Sequence, residues 1–134
     1  MGNASEMSLV YFNPNPEGLR TTDCTVRAIC AATGDDWEKS YMNLCLEGLI
    51  MHRMPDAQET WWSYLRKNGF DRKALPNTCP DCYTVNDFCQ DHPEGTYLIA
   101  TKNHVVTVKD GNIYDSWDSG NEVPFYYWER GNEG

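Results

Sequence analysis

The chain has 134 residues, of which 40% are apolar and 23% charged, a size and composition that predict one domain over residues 1–134. It carries 11 Lys and Arg against 20 Asp and Glu, a formal net charge of −9. This acidity argues against a nucleic-acid partner, because Lys and Arg supply the contacts to phosphate backbones. No apolar run approaches the roughly 18 residues of a membrane-spanning helix, so no membrane partner is expected.

The N-terminal segment MGNASEM lacks the basic and apolar regions of a secretory signal. We therefore expect a cytoplasmic location, with residues 1–10 flexible. The six cysteines are expected to be free thiols, because reducing compartments keep cysteines unpaired.

Four helices are predicted from capping residues and from apolar residues spaced three or four apart. The first follows the turn-rich residues 11–20, begins near Cys24 and ends at Gly34. The second begins at Asp35, with Glu38 as the acidic residue of a capping box, and extends to about residue 48. The last two cover about residues 56–68 and 84–88.

Strands are predicted at residues 97–101, 104–109, 112–117 and 124–129, where β-branched and aromatic residues concentrate. Asp110-Gly111 is typical of a two-residue hairpin turn. Because the helices precede the strands, the order predicts an α+β fold in which N-terminal helices pack on a C-terminal antiparallel sheet.

Cys24 lies where the first predicted helix begins. The unpaired N–H groups and the positive end of the helix dipole stabilise a thiolate at that position. A lowered pKa makes such a cysteine a candidate nucleophile. The alternative is a buried thiol with a purely structural role.

His104 is an ionisable residue at the start of an otherwise apolar strand. If residues 110–111 form a two-residue turn, His104 and Asp115 become diagonal neighbours on one face of the hairpin. Asp115 can then accept a hydrogen bond from the imidazole and fix its orientation. Asp118 falls on the opposite face, although one extra residue in the turn would reverse this choice. A structural pair without catalytic function is the alternative.

Three segments resemble papain-like cysteine peptidases of small phage and bacterial type. TTDCTVRAIC, around Cys24, resembles their nucleophile helix, and its Asp-Cys pair is similar to that of bacteriocin-processing double-glycine peptidases. The segment from His104 to Asp115 is similar to the hairpin that carries their His and Asp. DSWD, at residues 115–118, resembles the Asn-Ser-Trp-Gly segment of papain-like enzymes.

The resemblance implies a minimal papain-like fold and a Cys-His-Asp triad. Cys24 would attack a carbonyl carbon to form a thioester, His104 would transfer the proton, and Asp115 would orient His104. It implies a peptide, isopeptide or small amide substrate and no metal or organic cofactor. Hydrolysis and acyl transfer to an amine, in the manner of transglutaminases, both remain open.

The sequence departs from the family at the oxyanion hole. Leu19 and Gly18 stand where papain-like enzymes have a Gln, so Asn13 and Asn15 are the candidates for its replacement. A lost oxyanion donor costs about 10² to 10³ in rate. The alternative function is therefore a weak or inactive papain-like protein that acts as a binding or inhibitory module for a basic partner.

A group of candidate metal ligands follows the third predicted helix. Cys79, Cys82, Cys89 and His92 have the spacing Cys-x2-Cys-x6-Cys-x2-His, which suits structural zinc. A Cys79–Cys82 disulfide is another alternative. Unlinked thiols are the reading we favour.

Two further side chains are placed near the candidate site. Trp117 shares the predicted face with His104 and is a candidate shield for the His–Asp pair, with ordinary sheet packing as the alternative. Arg27 is expected to form a structural ion pair with Asp23 or with nearby Glu carboxylates, and a role in substrate binding is the alternative.

Overall fold

The computed structural model describes residues 9–131 as four helices and a six-stranded sheet. The predicted α+β class is confirmed. The helices are α1 (Cys24–Thr33), α2 (Trp37–Met51), α3 (Gln58–Lys67) and α4 (Val85–Asp91); the strands are β1 (Leu9–Tyr11), β2 (Phe70–Ala74), β3 (Thr96–Ala100), β4 (Val105–Lys109), β5 (Asn112–Asp115) and β6 (Tyr126–Arg130).

The sheet has the strand order β1-β5-β4-β3-β6-β2. It is mixed, because β1 runs parallel to β5, whereas every other neighbouring pair is antiparallel. The four predicted C-terminal strands pair antiparallel as expected, and the unpredicted β1 makes the sheet as a whole mixed rather than antiparallel. The predicted flexibility of residues 1–8 falls outside the described residues, but Leu9 and Val10 belong to β1.

The sequence analysis missed both edge strands. In β2 only Phe70 is buried, and residues 71–74 are exposed and mostly charged, so no alternation of apolar and polar residues marks the strand. β1 has only three residues. Charged or short edge strands are common because they discourage pairing with other chains.

The β4–β5 hairpin has the predicted register, with Lys109 opposite Asn112. Asp110 and Gly111 have φ values of 51° and 79°, the left-handed pair that a type I′ turn requires. The turn contains no extra residue, so the predicted placement of His104 and Asp115 on one face is retained.

The helix ends differ slightly from the prediction. α1 begins at Cys24 as predicted, and Gly34 caps its end with a φ of 84°. The cap of α2 is Asp36 rather than Asp35, and its side chain accepts the Lys39 backbone N–H at 2.7 Å. α4 has a complete capping box at its N-terminus and extends to residue 91.

Both faces of the sheet are covered. One core joins α1, α2 and α3 to the sheet through residues such as Ile29, Leu65 and Leu98. The other joins α4 to Val106 and Val108 on the opposite face. Burial on both sides explains why β4 reads as a continuous apolar run. The resulting α1–β4 contact, which includes a hydrogen bond from Thr107 Oγ1 to the Ala28 carbonyl at 2.6 Å, brings the start of α1 to the start of β4.

Cys79 and Cys82 form a disulfide, so the favoured reading of unlinked thiols was wrong at these two positions. The disulfide also removes two ligands of the proposed zinc site. Cys89 is buried, and the His92 ring stacks on Phe88 with centroids 3.8 Å apart. Across residues 9–131, His, Cys, Asp and Glu side chains form no group of three that suits a metal ion.

Within the same described range, none of the helices has both the length and the apolar character needed to cross a membrane.

Candidate active site

Cys24 is the first residue of α1 and is half-buried. The His104 ring and the backbone N–H of Val105 lie beside its Sγ. Burial raises the pKa of the Cys24 thiol, but these two groups and the positive charges of His104 and Arg27 outweigh burial, so the pKa lies below its usual value. The position therefore favours a thiolate.

His104 lies immediately before β4 and bridges Cys24 and Asp115. Its Nε2 is 2.7 Å from Asp115 Oδ2. An ionised carboxylate only accepts hydrogen bonds, so Nε2–H donates and Nδ1 is left to face the thiol. Burial lowers the pKa of His104, but the hydrogen bonds with Asp115 and Cys24 reverse the effect and raise the pKa to about 9. The neighbours of His104 therefore favour its protonated form.

Asp115, the last residue of β5, is 1% exposed and accepts four hydrogen bonds. Besides His104, the donors are the Arg27 Nε at 3.1 Å, the Ser116 backbone N–H at 2.7 Å and the Ser119 Oγ at 2.8 Å. Burial raises the pKa of Asp115, but the bonds from His104 and the serines hold it below its usual value. The carboxylate stays ionised and cannot rotate freely.

The structure selects Asp115 over Asp118, as the hairpin register predicted. Asp118 accepts the Gly120 backbone N–H at 2.9 Å and so stabilises the turn that follows β5. β5 ends at Asp115, so Asp118 lies beyond the strand whose periodicity was used to place it.

Arg27 is the residue whose place in the site the sequence analysis missed. It is 5% exposed, and its Nη1 donates to Asp23 at 2.7 Å, as expected, while its Nε donates to Asp115. Asp23 also accepts the Trp37 indole N–H at 2.8 Å. One buried guanidinium therefore joins Asp23, the residue before Cys24, to the carboxylate that is hydrogen-bonded to His104. A charged residue among the apolar residues of α1 was the available signal.

Trp117 covers the imidazole. Its ring centroid lies 4.7 Å from that of His104, and 41% of its surface is exposed. The predicted contact between the two rings is confirmed. Together they border a cavity of about 430 Å³. The other lining residues are Thr101, Lys102, Asn103, Glu122, Val123 and Phe125.

The two candidate oxyanion donors lie in the turn before α1. The Asn13 amide donates to the Gly18 and Leu19 carbonyls, at 3.3 and 3.1 Å, so its N–H groups are engaged within the turn. The side-chain oxygen Oδ1 of Asn15 accepts the Glu17 backbone N–H at 2.9 Å. The structure does not bring Asn13 to the thiol.

Asn15 has a different position from Asn13. It borders a second cavity of about 430 Å³, beside Thr22, Asp23 and Thr25, the neighbours of Cys24 in the chain. The backbone N–H groups at the start of α1 are further candidate donors to an oxyanion beside Cys24, because the first turn of a helix leaves them without intrahelical partners.

Comparisons of the chain with protein-family models, with curated proteins and with solved structures find no match. What this site can do is therefore argued from its own geometry. A thiol lies beside an imidazole that is hydrogen-bonded to a carboxylate, and the imidazole borders an open cavity. This arrangement is suited to nucleophilic catalysis.

Proposed function

We propose that this protein is a cysteine-dependent hydrolase of peptide, isopeptide or other amide bonds. The observation that carries the proposal is the arrangement at the N-terminus of α1, where His104 Nε2 lies 2.7 Å from Asp115 Oδ2 and the same ring lies beside Cys24 and lowers the pKa of its thiol. A nucleophile, a base within hydrogen-bond reach and a third group that orients the base are the parts that such catalysis requires. The resemblance of the surrounding segments to papain-like cysteine peptidases supports the same roles.

In the proposed reaction the Cys24 thiolate attacks the carbonyl carbon, and the carbonyl π electrons move to oxygen. The His104 imidazolium gives its proton to the leaving nitrogen as the C–N bond breaks, which leaves a thioester. Water then attacks the thioester while neutral His104 accepts its proton. Expulsion of the thiolate releases the acid and restores the ion pair, and Asp115 remains ionised throughout.

The oxyanion formed at each attack needs donors at the start of α1. The backbone N–H of Cys24 is the first, since a helix N-terminus favours negative charge. Asn15, which borders the cavity on this side, is the proposed side-chain donor.

The cavity beside His104 and Trp117 is the proposed place for the amine side of the substrate. His104 must reach the leaving nitrogen to protonate it, so the group attached to that nitrogen has to lie on the imidazole side. Phe125, which is 53% exposed, adds a second aromatic ring to the wall. This wall favours a peptide or protein segment with an apolar side chain there.

The second candidate is an inactive binding or inhibitory protein. The engagement of Asn13 within its own turn favours this reading, because it removes one replacement for the missing oxyanion donor. Under this hypothesis the acidic chain would bind a basic partner.

The first test is alkylation of the free thiols by iodoacetamide across about pH 4.5 to 9, read by peptide mass spectrometry. We expect Cys24 to react at least about tenfold faster than Cys45 at pH 6, because an ordinary thiol is only about 0.3% ionised there. His104→Ala should abolish this advantage. His92→Ala, which removes an imidazole stacked on Phe88, is the matched control and should leave it unchanged.

A panel of peptide and amide substrates then separates the two candidates. Wild-type turnover that Cys24→Ser eliminates supports the hydrolase, and competition by added amines distinguishes acyl transfer from hydrolysis. If Cys24 reacts no faster than Cys45 at pH 6 in the wild type, the hydrolase proposal is wrong.

A further inference from the structure

α2 has an unusual distribution of side chains. Its outward residues are apolar and strongly exposed: Met42 is 69% exposed, Leu46 57%, Leu49 70% and Ile50 58%. Helices on the surface of a globular protein usually turn their apolar stripe towards the core. The inward, buried residues of α2 are instead Ser40, Leu44, Glu47 and Gly48.

The four outward residues lie on one side of the helix. Positions 42, 46, 49 and 50 follow the spacing i, i+4, i+7, i+8, which places them together on a helical surface. Contiguous apolar patches of this kind mark interaction surfaces in otherwise polar protein exteriors. No exposed charged residue interrupts α2 between Lys39 and its C-terminus, since Glu47 is buried.

The two ends of α2 differ in charge. Glu38, in the first turn, is exposed and acidic, while its exposed neighbour Lys39 is paired within the same end of the helix, with its Nζ 3.4 Å from Asp35 Oδ1. Arg53, just beyond the C-terminus, is exposed and basic, and its backbone N–H donates to the Gly48 carbonyl at 2.9 Å, which fixes it at that end of the helix. Two copies of α2 in antiparallel orientation would place Glu38 of each beside Arg53 of the other.

We propose that the outward face of α2 is a dimer interface with a second copy of this chain, in which the two α2 helices pack antiparallel. A two-fold interface uses the same patch on both subunits, and this patch is self-complementary: its middle is apolar and its ends are oppositely charged. Each Glu38–Arg53 ion pair forms twice, so the charges specify the antiparallel orientation while apolar burial supplies the affinity.

The test is sedimentation equilibrium of the full chain from about 1 to 500 μM, because association depends on concentration. We expect the wild type to approach twice the 15.4 kDa chain mass. Leu46→Glu should raise the dimer Kd at least about 100-fold, because each interface then buries two unpaired carboxylates. Phe125→Glu, which changes an exposed apolar residue outside α2, is the control and should leave the Kd unchanged.

A charge exchange tests the orientation of the helices. Glu38→Arg should raise the Kd about fivefold, because two exposed ion pairs are lost and like charges meet. The double variant Glu38→Arg with Arg53→Glu should restore the Kd to within about twofold of wild type. A monomeric wild type at all concentrations, or a dimer that the exchange does not restore, would overturn the proposal. Thiol reactivity is measured separately, so this result is independent of the proposed activity.

Discussion

Two cysteines of the same helix occupy opposite electrostatic environments. Cys24, at the first position of α1, has a lowered pKa, whereas Cys30, towards the middle of the helix, has a raised one. Burial raises the pKa of both thiols. At Cys24 the hydrogen bonds from His104 and Val105 reverse the effect. The comparison shows that burial alone does not determine whether a cysteine is reactive.

The surroundings of Cys30 explain its raised pKa. Its Sγ lies 3.4 Å from Ser40 Oγ. This hydrogen bond lowers the pKa, but by less than burial raises it. The carboxylates of Asp36, Asp23 and Asp35 oppose ionisation of this thiol. The middle of α1 therefore holds an inert packing thiol, and its N-terminal turn holds a thiol poised to ionise.

The largest expected effect comes from Asp115→Asn. The substitution leaves Arg27 and His104 with less negative charge beside them, so we expect the free energy of unfolding to fall by about 3 kcal/mol. The pKa of Cys24 should rise towards that of Cys30, because a neutral imidazole no longer favours the thiolate. Urea denaturation and thiol labelling measure the two changes.

Asp118→Asn is the matched control, since Asp118 serves only the following turn. Equal labelling of Cys24 in the wild type and in Asp115→Asn would contradict the role given to Asp115.

Arg27→Met should lower the free energy of unfolding by about 2 kcal/mol, because it removes charged hydrogen bonds to Asp23 and Asp115. It should also move the alkylation profile of Cys24 to higher pH, since the positive charge of Arg27 lowers the pKa of that thiol. Arg27→Lys keeps the positive charge, so the alkylation profile of Cys24 should change little. The free energy of unfolding should still fall. An unchanged profile in Arg27→Met would limit Arg27 to a purely structural role.

The pH dependence of stability provides the third prediction. Because folding raises the pKa of His104 from 6.5 to about 9, its stabilisation is complete below pH 6.5 and is lost as the pH rises through 9. The rise in the pKa from 6.5 to about 9 corresponds to about 3 kcal/mol. Solvent screening of the partly exposed ring reduces this value, so the free-energy difference between wild type and His104→Ala should shrink by roughly 1.5 kcal/mol between pH 6 and pH 10. A constant difference over this interval would show that folding does not raise the pKa of His104. Thermal and urea unfolding at each pH give the values.

The smallest effect is expected for Ser119→Ala, which removes one of the four donors to Asp115. We expect a loss of about 1 kcal/mol in the free energy of unfolding and a slight rise in the pKa of the carboxyl. Ser116→Ala is a matched control, because Ser116 donates through its backbone N–H and the substitution preserves that bond. Equal effects of the two substitutions would show that the Ser119 hydroxyl contributes nothing to the site.

Much of the site was predictable because local rules position it. The start of α1 at Cys24 follows from helix capping and periodicity, and the pairing of His104 with Asp115 follows from the turn at residues 110–111. In each case a few consecutive residues determine the geometry. The edge strands were not predictable in this way, since β1 pairs with β5 about a hundred residues later and β2 has no apolar alternation.

The sequence by itself determined the α+β class, the hairpin register and the identity of the thiol, imidazole and carboxylate. Only the tertiary structure decided how these groups are charged and supported. Arg27 meets Asp115 across 88 positions of the chain, and the disulfide between Cys79 and Cys82 replaced an expected pair of thiols. The physical reason is that capping and turn conformation depend on neighbouring residues, whereas a pKa depends on every charge and hydrogen bond that folding brings into contact.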